Sequence, residues 1–107
     1  MTTELLAPAG GQEALVAAVQ SGADAVYMGF GAFNARRSAR NFSDEEFRAA
    51  VSYCHLRGVK VYLTLNTLVT DRELPALAAE ARTASECGVD AILVQDWGVL
   101  ATLQKII

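Results

Sequence analysis

The chain has 107 residues with a net charge of −3, and 52% of its residues are hydrophobic and 20% charged. This composition indicates a folded globular domain and excludes disordered, fibrous and histone-like nucleic-acid-binding proteins. The N-terminus has no basic leader before a long apolar run, and no apolar run is long enough for a membrane helix. We therefore expect a cytoplasmic protein, in which Cys54 and Cys87 are reduced thiols.

ELLAPAG predicts a first strand, and three later segments repeat one pattern: SGADAVYMG, RGVKVYLTL and CGVDAILVQ. Each has a glycine, a small or branched residue, a charged residue and a short apolar run, and each follows an amphipathic segment. Gly22, Gly58 and Gly88 fit the left-handed residue that ends a helix. The apolar runs are typical of strands that are buried on both faces of a parallel sheet.

Two of the intervening helices have recognisable starts. SDEE predicts a capping box, in which the side chains of Ser43 and Glu46 bind each other's backbone N–H groups. TDRE at residues 70–73 predicts a second capping box, and Pro75 is tolerated in the first turn that follows it. The apolar face of the first of these helices carries Phe47, Val51 and Cys54.

The predicted order is therefore βαβαβαβα, with repeats of about 30–36 residues. Right-handed crossovers would make all four strands parallel. Such units can begin a doubly wound sheet or form half of a (β/α)8 barrel, and no nucleotide-binding glycine motif follows any strand. A complete barrel needs about 250 residues. We predict that residues 1–107 are the N-terminal (β/α)4 portion of a TIM-like barrel domain, as a fragment of a longer protein.

In both architectures the chemistry is carried by residues that follow the carboxyl ends of the strands. The loop GFGAFNARRSARNFS, residues 29–43, carries three arginines and no acidic residue. It is longer than the ~2–6 residues usual for such connections. Its guanidinium groups and the backbone N–H groups of a glycine pair suit a carboxylate or phosphate. The candidate substrate- or anion-binding residues are Gly10, Gly11, Asn34, Arg36, Arg37, Arg40, Asn66, Gln95 and Asp96.

Several candidates have a structural alternative. The arginines could pair with the acidic residues at 44–46, and Asn34 could support a turn through its side chain. Asp96 could be a base, orient a ligand or cap the last helix. Residues predicted to be structural are Cys54, His55, Cys87, Asp24 and Asp90. The segment gives no catalytic residue and no metal site.

Five strings together resemble the collagenase-like peptidases, the unassigned-type peptidase family thirty-two: ELLAPAG, GADAVYMGFGAFNAR, SARNFS, HLRGVKVYLTLNTLVTDREL and GVDAILVQDWGV. The resemblance runs from Glu4 to about Leu100 and covers the N-terminal segment of that family. It implies a barrel-type domain. Members are linked to collagenase activity and to oxygen-independent hydroxylation of a tRNA wobble uridine, an rRNA cytidine or a ubiquinone precursor.

The resemblance also implies prephenate as a participant in the RNA reactions. It implies a cysteine-ligated iron–sulfur cluster too, whose cysteines would lie beyond this segment, so no cofactor is expected within it. It favours a fragment that acts in RNA hydroxylation, or one named as a peptidase, with a prephenate-like anion or RNA as partner. The alternatives are a barrel enzyme for another small anionic metabolite, and a non-catalytic half-barrel that pairs with itself or a partner subunit. We expect the segment alone to be inactive and to contact no membrane.

Overall fold

The computed structural model describes residues 3–29, 43–65, 74–94 and 97–105. The elements in this part of the chain are β1 (Leu6–Pro8), α1 (Gln12–Gln20), β2 (Ala25–Met28), α2 (Asp44–Leu56), β3 (Lys60–Leu65), α3 (Leu74–Cys87), β4 (Ala91–Val94) and α4 (Trp97–Gln104). The predicted α/β class and the alternating order are confirmed. None of these helices combines the length and the hydropathy that crossing a bilayer requires.

The four strands form one sheet in the order β1-β2-β3-β4, and each neighbouring pair is parallel. Right-handed crossovers between sequential strands return every helix to the same face of the sheet. Accordingly, α1 contacts α2, α2 contacts α3, and α3 contacts α4. A doubly wound sheet would reverse its strand order and carry helices on both faces. The observed topology is consistent with the predicted half of a (β/α)8 barrel.

The hydrophobic core lies between this helix layer and one face of the sheet. Val26, Val61 and Leu63 contribute fully buried side chains from the strands, and Phe47 and Leu77 contribute them from the helices. These side chains come from β2, β3, α2 and α3, so the core ties the central strands to the central helices. The predicted apolar face of α2 is confirmed, because all three of its residues are buried.

The opposite face of the sheet is only partly covered within the described residues. We call it the open face, and it carries Leu6, Ala25, Tyr27, Tyr62, Thr64 and Leu93. Leu6 is 44% exposed and Leu93 is 42% exposed. The prediction that the strands are buried on both faces is therefore wrong here, because the helix layer covers one face alone.

The helix ends follow the predicted local chemistry. The glycines that end α1, α2 and α3 have φ values of 96°, 74° and 96°, as expected for the left-handed residue after a helix. Pro75 is the second residue of α3, which confirms its place in the first turn. The predicted capping box at residues 70–73 lies outside the described residues.

The predicted capping box of α2 is confirmed. The Glu46 N–H donates to Ser43 Oγ at 3.2 Å, and the Ser43 N–H donates to Glu46 Oε1 at 2.9 Å. We expect Ser43→Ala to lower the free energy of unfolding by about 1 kcal/mol, because a helix N–H then loses its acceptor. Urea denaturation followed by circular dichroism measures this change. Ser52→Ala, at an exposed position inside the same helix, is the matched control and should leave stability unchanged or slightly raised.

Candidate functional site

The carboxyl ends of all four strands lie along one edge of the sheet because the strands are parallel. We call this edge the carboxyl rim; its strands end at Pro8, Met28, Leu65 and Val94. Residues 30–42, 66–73 and 95–96 follow β2, β3 and β4 in the chain and lie outside the described residues. Of the predicted site residues, the structure describes Gly10 and Gly11, and those outside it are Asn34, Arg36, Arg37, Arg40, Asn66, Gln95 and Asp96.

Gly10 and Gly11 join β1 to α1 in a short turn at the carboxyl rim. The Ala9 N–H donates to the Tyr27 carbonyl oxygen at 3.0 Å, which holds the chain to β2 up to the residue before the turn. Gly11 is the N-cap of α1 in an extended conformation, and no side chain caps the helix there. Among the described residues, no N-cap side chain therefore accepts from the first N–H groups of α1, which is the arrangement that binds anions at helix starts.

The space beside Gly11 is open in the part of the chain that the structure describes. A β-carbon built on Gly11 would have no atom within 4 Å there, so packing against these residues does not require glycine. The anion-binding role of Gly10 and Gly11 stays a prediction.

The carboxylate of Glu13 opposes anion binding at the start of α1. It is exposed and lies in the first turn of α1, where the helix dipole stabilises its carboxylate. The same carboxylate repels any anion that binds at the helix start. An anion site at Gly10 and Gly11 therefore needs further positive charge, and the loop of residues 29–43 is the nearest stretch of sequence that carries it.

The start of that loop lies beside the glycine turn. Pro8 pairs with Tyr27 in the parallel register of β1 and β2. Gly10 and Gly29 each follow these partners by two residues, so both leave the sheet at the same height on strands about 4.8 Å apart. The geometry of the described residues thus brings together the glycine turn and the first residue of the arginine loop.

At the opposite edge of the sheet, two aspartates join neighbouring strands. Asp24 Oδ2 accepts the Leu5 N–H at 2.8 Å. Asp90 Oδ2 accepts the Val61 N–H at 2.7 Å and lies 2.8 Å from His55 Nε2. These contacts confirm the structural role predicted for both aspartates and the prediction that His55 makes a helix-end contact.

The Asp90 carboxyl is stabilised in its charged form. Partial burial raises its pKa, but the Val61 N–H, the His55 side chain and the Lys60 charge outweigh this and hold the pKa below the ordinary 3.8. A depressed pKa stabilises the fold above the pKa of the unfolded chain, and this stabilisation is lost as the pH falls through the lower pKa of the folded state.

We therefore expect Asp90→Asn to lower the free energy of unfolding by roughly 1 kcal/mol at pH 7, a value reduced because the carboxyl is partly exposed. Below the depressed pKa, the wild type should approach the variant in stability. Urea titrations at several pH values between neutral and strongly acidic would test this. Glu86→Gln on the exposed side of α3 is the control, and an equal pH dependence in both variants would contradict the assignment.

The cysteines occupy structural positions, as predicted. Cys54 is fully buried, and burial raises the pKa of its thiol to about 11 although the Arg57 charge lowers it. Cys87 ends α3 and packs partly against the core. The described residues contain no group of three or more His, Cys, Asp or Glu placed for one metal ion. An iron–sulfur cluster takes about four cysteine ligands, so the two cysteines of this chain do not fit such a group.

Two features at these surfaces are absent from the sequence-based candidates. Trp97, the single tryptophan of the chain, begins α4 at the carboxyl rim and is 83% exposed. On the open face, the Tyr62 hydroxyl donates to Glu4 Oε1 at 2.6 Å, and Lys60 Nζ lies 3.6 Å from Glu4 Oε2. The pKa of Tyr62 is raised above its ordinary value, chiefly by the hydrogen bond to Glu4 and to a smaller extent by burial and nearby acidic charges. Trp97 could have been chosen as a candidate from the sequence, because it follows the predicted strand β4. The contact between Tyr62 and Glu4 could not have been found in this way, because it joins residues that are far apart in the chain.

Comparison with known proteins places the chain in a family. Residues 10–107 match the model of peptidase family U32. A collagenase of Porphyromonas gingivalis is 38% identical over 94 residues, which are 87% of this chain and 23% of that protein. A 23S rRNA 5-hydroxycytidine synthase of Escherichia coli is 41% identical over 99 residues, 91% of the chain and 15% of that protein.

The tRNA hydroxylation protein P1 of Bacillus subtilis is 34% identical over 103 residues, 96% of the chain and 24% of that protein. The chain thus spans less than a quarter of the length of each of these three relatives. The predicted resemblance is confirmed by both the family model and the relatives. The chain belongs to peptidase family U32.

Proposed function

We propose that this chain is the N-terminal part of a protein that hydroxylates RNA without molecular oxygen, at a tRNA wobble uridine or an rRNA cytidine. The observation that carries the proposal is the similarity to relatives named for RNA hydroxylation, at 41% identity for the rRNA enzyme and 34% for a tRNA protein. The alignments cover 91% and 96% of the chain, so the likeness is to this segment as a whole.

In this proposal the carboxyl rim holds an anionic group of the substrate. The N–H groups at the start of α1 would contact one face of a carboxylate or phosphate, and Arg36, Arg37 and Arg40 would add bidentate hydrogen bonds. The adjacent exits of Gly10 and Gly29 support this arrangement. The remaining proposed polar lining is Asn34, Asn66, Gln95 and Asp96. A dicarboxylate such as prephenate, or an RNA phosphate, has the charge that such a site prefers.

Any iron–sulfur cluster would have its cysteine ligands in the remainder of the protein, because the two cysteines here do not fit one. The part of the reaction assigned to this segment is therefore binding and orientation of an anion. The positive charge of the arginines would offset both the substrate charge and the repulsion from Glu13.

Loss of the gene tests the proposed function. RNA from the source organism, grown with and without air, is separated into tRNA and rRNA, digested to nucleosides and measured by mass spectrometry. Deletion should remove a 5-hydroxylated pyrimidine nucleoside from one fraction under both growth conditions, and the fraction that loses it identifies the substrate class. Reintroducing the gene should restore the nucleoside. Unchanged nucleosides in both fractions would contradict the proposal.

Peptidase activity is a second candidate, favoured by the 38% identity to the collagenase of Porphyromonas gingivalis. The described residues support it less well. The one histidine is engaged by Asp90 at the edge opposite the carboxyl rim, and Cys54 is a buried thiol with a raised pKa. Neither suits an activated nucleophile and base. Gelatin hydrolysis by the purified protein, together with unchanged RNA nucleosides in the deletion strain, would favour this candidate instead.

A further inference from the structure

The open face is crossed by rows of residues that lie in register on neighbouring strands. One row, which we call the tyrosine row, is Pro8, Tyr27, Tyr62 and Ala91. Side chains alternate between the two faces of a strand, so the next row on the open face lies two residues closer to the carboxyl rim, about 6.6 Å away. Extending the register by two residues gives this second row, the glycine row: Gly10, Gly29, Thr64 and Leu93.

The glycine row leaves an opening beside the carboxyl rim. Gly10 follows β1 and Gly29 follows β2, and neither has a side chain that would cover the tyrosine row below it. In the part of the chain that the structure describes, the opening is about two strands or 10 Å wide and about 6.6 Å high. We call it the notch. The ring of Tyr27 forms its floor, and the side chain of Thr64 bounds it on the side of β3.

The notch has hydrogen-bonding groups that are not used within the described fold. Tyr27 and Thr64 are both half-buried, and their hydroxyl groups have no partner among the described residues. The other tyrosine of the row differs, because the Tyr62 hydroxyl donates to Glu4 on the amino side. A ligand in the notch therefore meets one aromatic ring and two available hydroxyl groups.

The notch is also uncharged within the described residues, because neither the tyrosine row nor the glycine row contains an ionisable acid or base other than tyrosine. Lys60 lies on the open face one row below the tyrosine row, and its Nζ is 3.6 Å from Glu4 Oε2, so these two charges offset each other. A flat, uncharged and polar group suits the notch. The anion of the proposed function suits the rim directly above it. A nucleotide joins two such groups in one molecule.

We infer that the notch binds the pyrimidine base of the RNA substrate, while the rim binds the phosphate of the same nucleotide; this assignment rests on the proposed function. An enzyme that modifies a base within a helix has to take it out of the stack, and unstacked bases of RNA lie on aromatic side chains in many proteins. The Tyr27 ring lies against the base, and the Thr64 hydroxyl donates to a carbonyl oxygen of the base. Thr64 limits the space on one side, so a single-ring base fits better than a purine.

The notch is compatible with a longer protein. Strands that follow β4 would join the sheet at its outer edges, whereas the notch lies at the carboxyl ends of β1 and β2. The enzymes with (β/α)8 barrels bind their substrates at this end, above the packed interior of the barrel. In a closed barrel the tyrosine row belongs to the interior, and the glycine row opens toward the substrate.

Calorimetric binding to the purified intact protein tests the assignment. The ligands are uridine, cytidine and adenosine 5′-monophosphates, and ribose 5-phosphate, which lacks a base. At least one pyrimidine nucleotide should bind about 10-fold more tightly than ribose 5-phosphate and more tightly than the adenosine nucleotide. Tyr27→Leu should weaken its binding at least about fivefold, because the aromatic ring is lost. Thr64→Val should weaken it about three- to tenfold through loss of the hydroxyl group.

The controls separate loss of base contact from loss of fold. Both variants should bind ribose 5-phosphate as the wild type does, and Tyr27→Phe, which keeps the ring, should bind the nucleotide nearly as well. Tyr53→Leu makes the same substitution on α2, in the helix layer, and should leave nucleotide affinity unchanged. Thr64→Val nearly preserves side-chain size, so it decides the question if Tyr27→Leu does not fold.

Three results would overturn the assignment: no preference for a pyrimidine nucleotide over ribose 5-phosphate, tighter binding of the adenosine nucleotide, or wild-type affinity in both Tyr27→Leu and Thr64→Val. The deletion strain keeps this assignment separate from the proposed function. If the wild-type gene and both variants restore the hydroxylated nucleoside fully, the base site is wrong and the proposed function stands. If deletion changes no nucleoside, the proposed function fails, and calorimetry still decides whether the notch binds a base.

Discussion

Phe47→Ala should lower the free energy of unfolding by about 3–5 kcal/mol, the range measured when a fully buried aromatic side chain is truncated. Phe47 is completely buried near the start of α2 and belongs to the single core between the helix layer and the sheet. Total stabilities of small domains are about 5–15 kcal/mol, so the variant should be largely unfolded at modest urea concentrations. Equilibrium denaturation followed by circular dichroism measures the loss.

The control is Leu56→Ala, a truncation of a large apolar side chain in the same helix. Leu56 is 84% exposed, so the change should stay within about 0.5 kcal/mol. A loss below about 1 kcal/mol for Phe47→Ala would contradict the described core, because a cavity left by a phenyl ring in a closed core lowers the free energy of unfolding by more than this. Equal losses in both variants would mean that α2 does not direct Phe47 toward the sheet.

Replacing Arg36, Arg37 and Arg40 by glutamine in the intact protein should reduce the yield of hydroxylated nucleoside by roughly 100-fold or more. Hydrogen bonds to charged groups contribute about 1.5–3 kcal/mol each, so losing two of them is sufficient for that factor. Glutamine keeps hydrogen-bonding capacity but removes the positive charge. The measurement is the amount of the nucleoside in the deletion strain that expresses the variant.

Two comparisons make this result specific. Glutamine at Arg48 and Arg82, both on exposed helix surfaces, should leave the nucleoside at the wild-type amount. Lysine in place of the three loop arginines should restore part of the yield, because charge is kept and bidentate geometry is lost. Wild-type yield from the triple glutamine variant would show that the loop does not bind the anion.

The parts of the fold that were predicted correctly depend on local chemistry. The capping box at Ser43 and Glu46 requires residues three apart, and the left-handed glycines require only their own backbone freedom. The order of elements follows from the period of the apolar residues. These signals act within a few residues, so the sequence carries them directly.

The prediction of strands buried on both faces failed for a different reason. An apolar residue such as Leu93 shows that a position is suited to burial, but the second layer that would bury it has to come from elsewhere. Similarly, the hydrogen bond from Tyr62 to Glu4 spans 58 positions in the chain. It joins β3 to the segment before β1 across the intervening β2, and only the order and register of the strands reveal this.

The candidate site was predictable in part. Gly10 and Gly11 were placed at the end of β1 from the sequence, and the structure adds that α1 has no side-chain cap there and that Glu13 opposes an anion. Gly29, the first residue of the arginine loop, lies at the same rim because the strands are parallel. The type of reaction came from the resemblance alone, because the described residues contain no arrangement that specifies one.

The most direct test of the account is whether the carboxyl rim binds an anion. In a nuclear magnetic resonance titration of the isotope-labelled chain, the Gly10 and Gly11 amide signals are followed as prephenate or inorganic phosphate is added. The account predicts saturable shifts of both signals that are lost in the triple glutamine variant and strengthened by Glu13→Gln. Amide signals that do not move, or that move equally in the triple variant, would contradict the claim that this rim and its arginines hold the substrate.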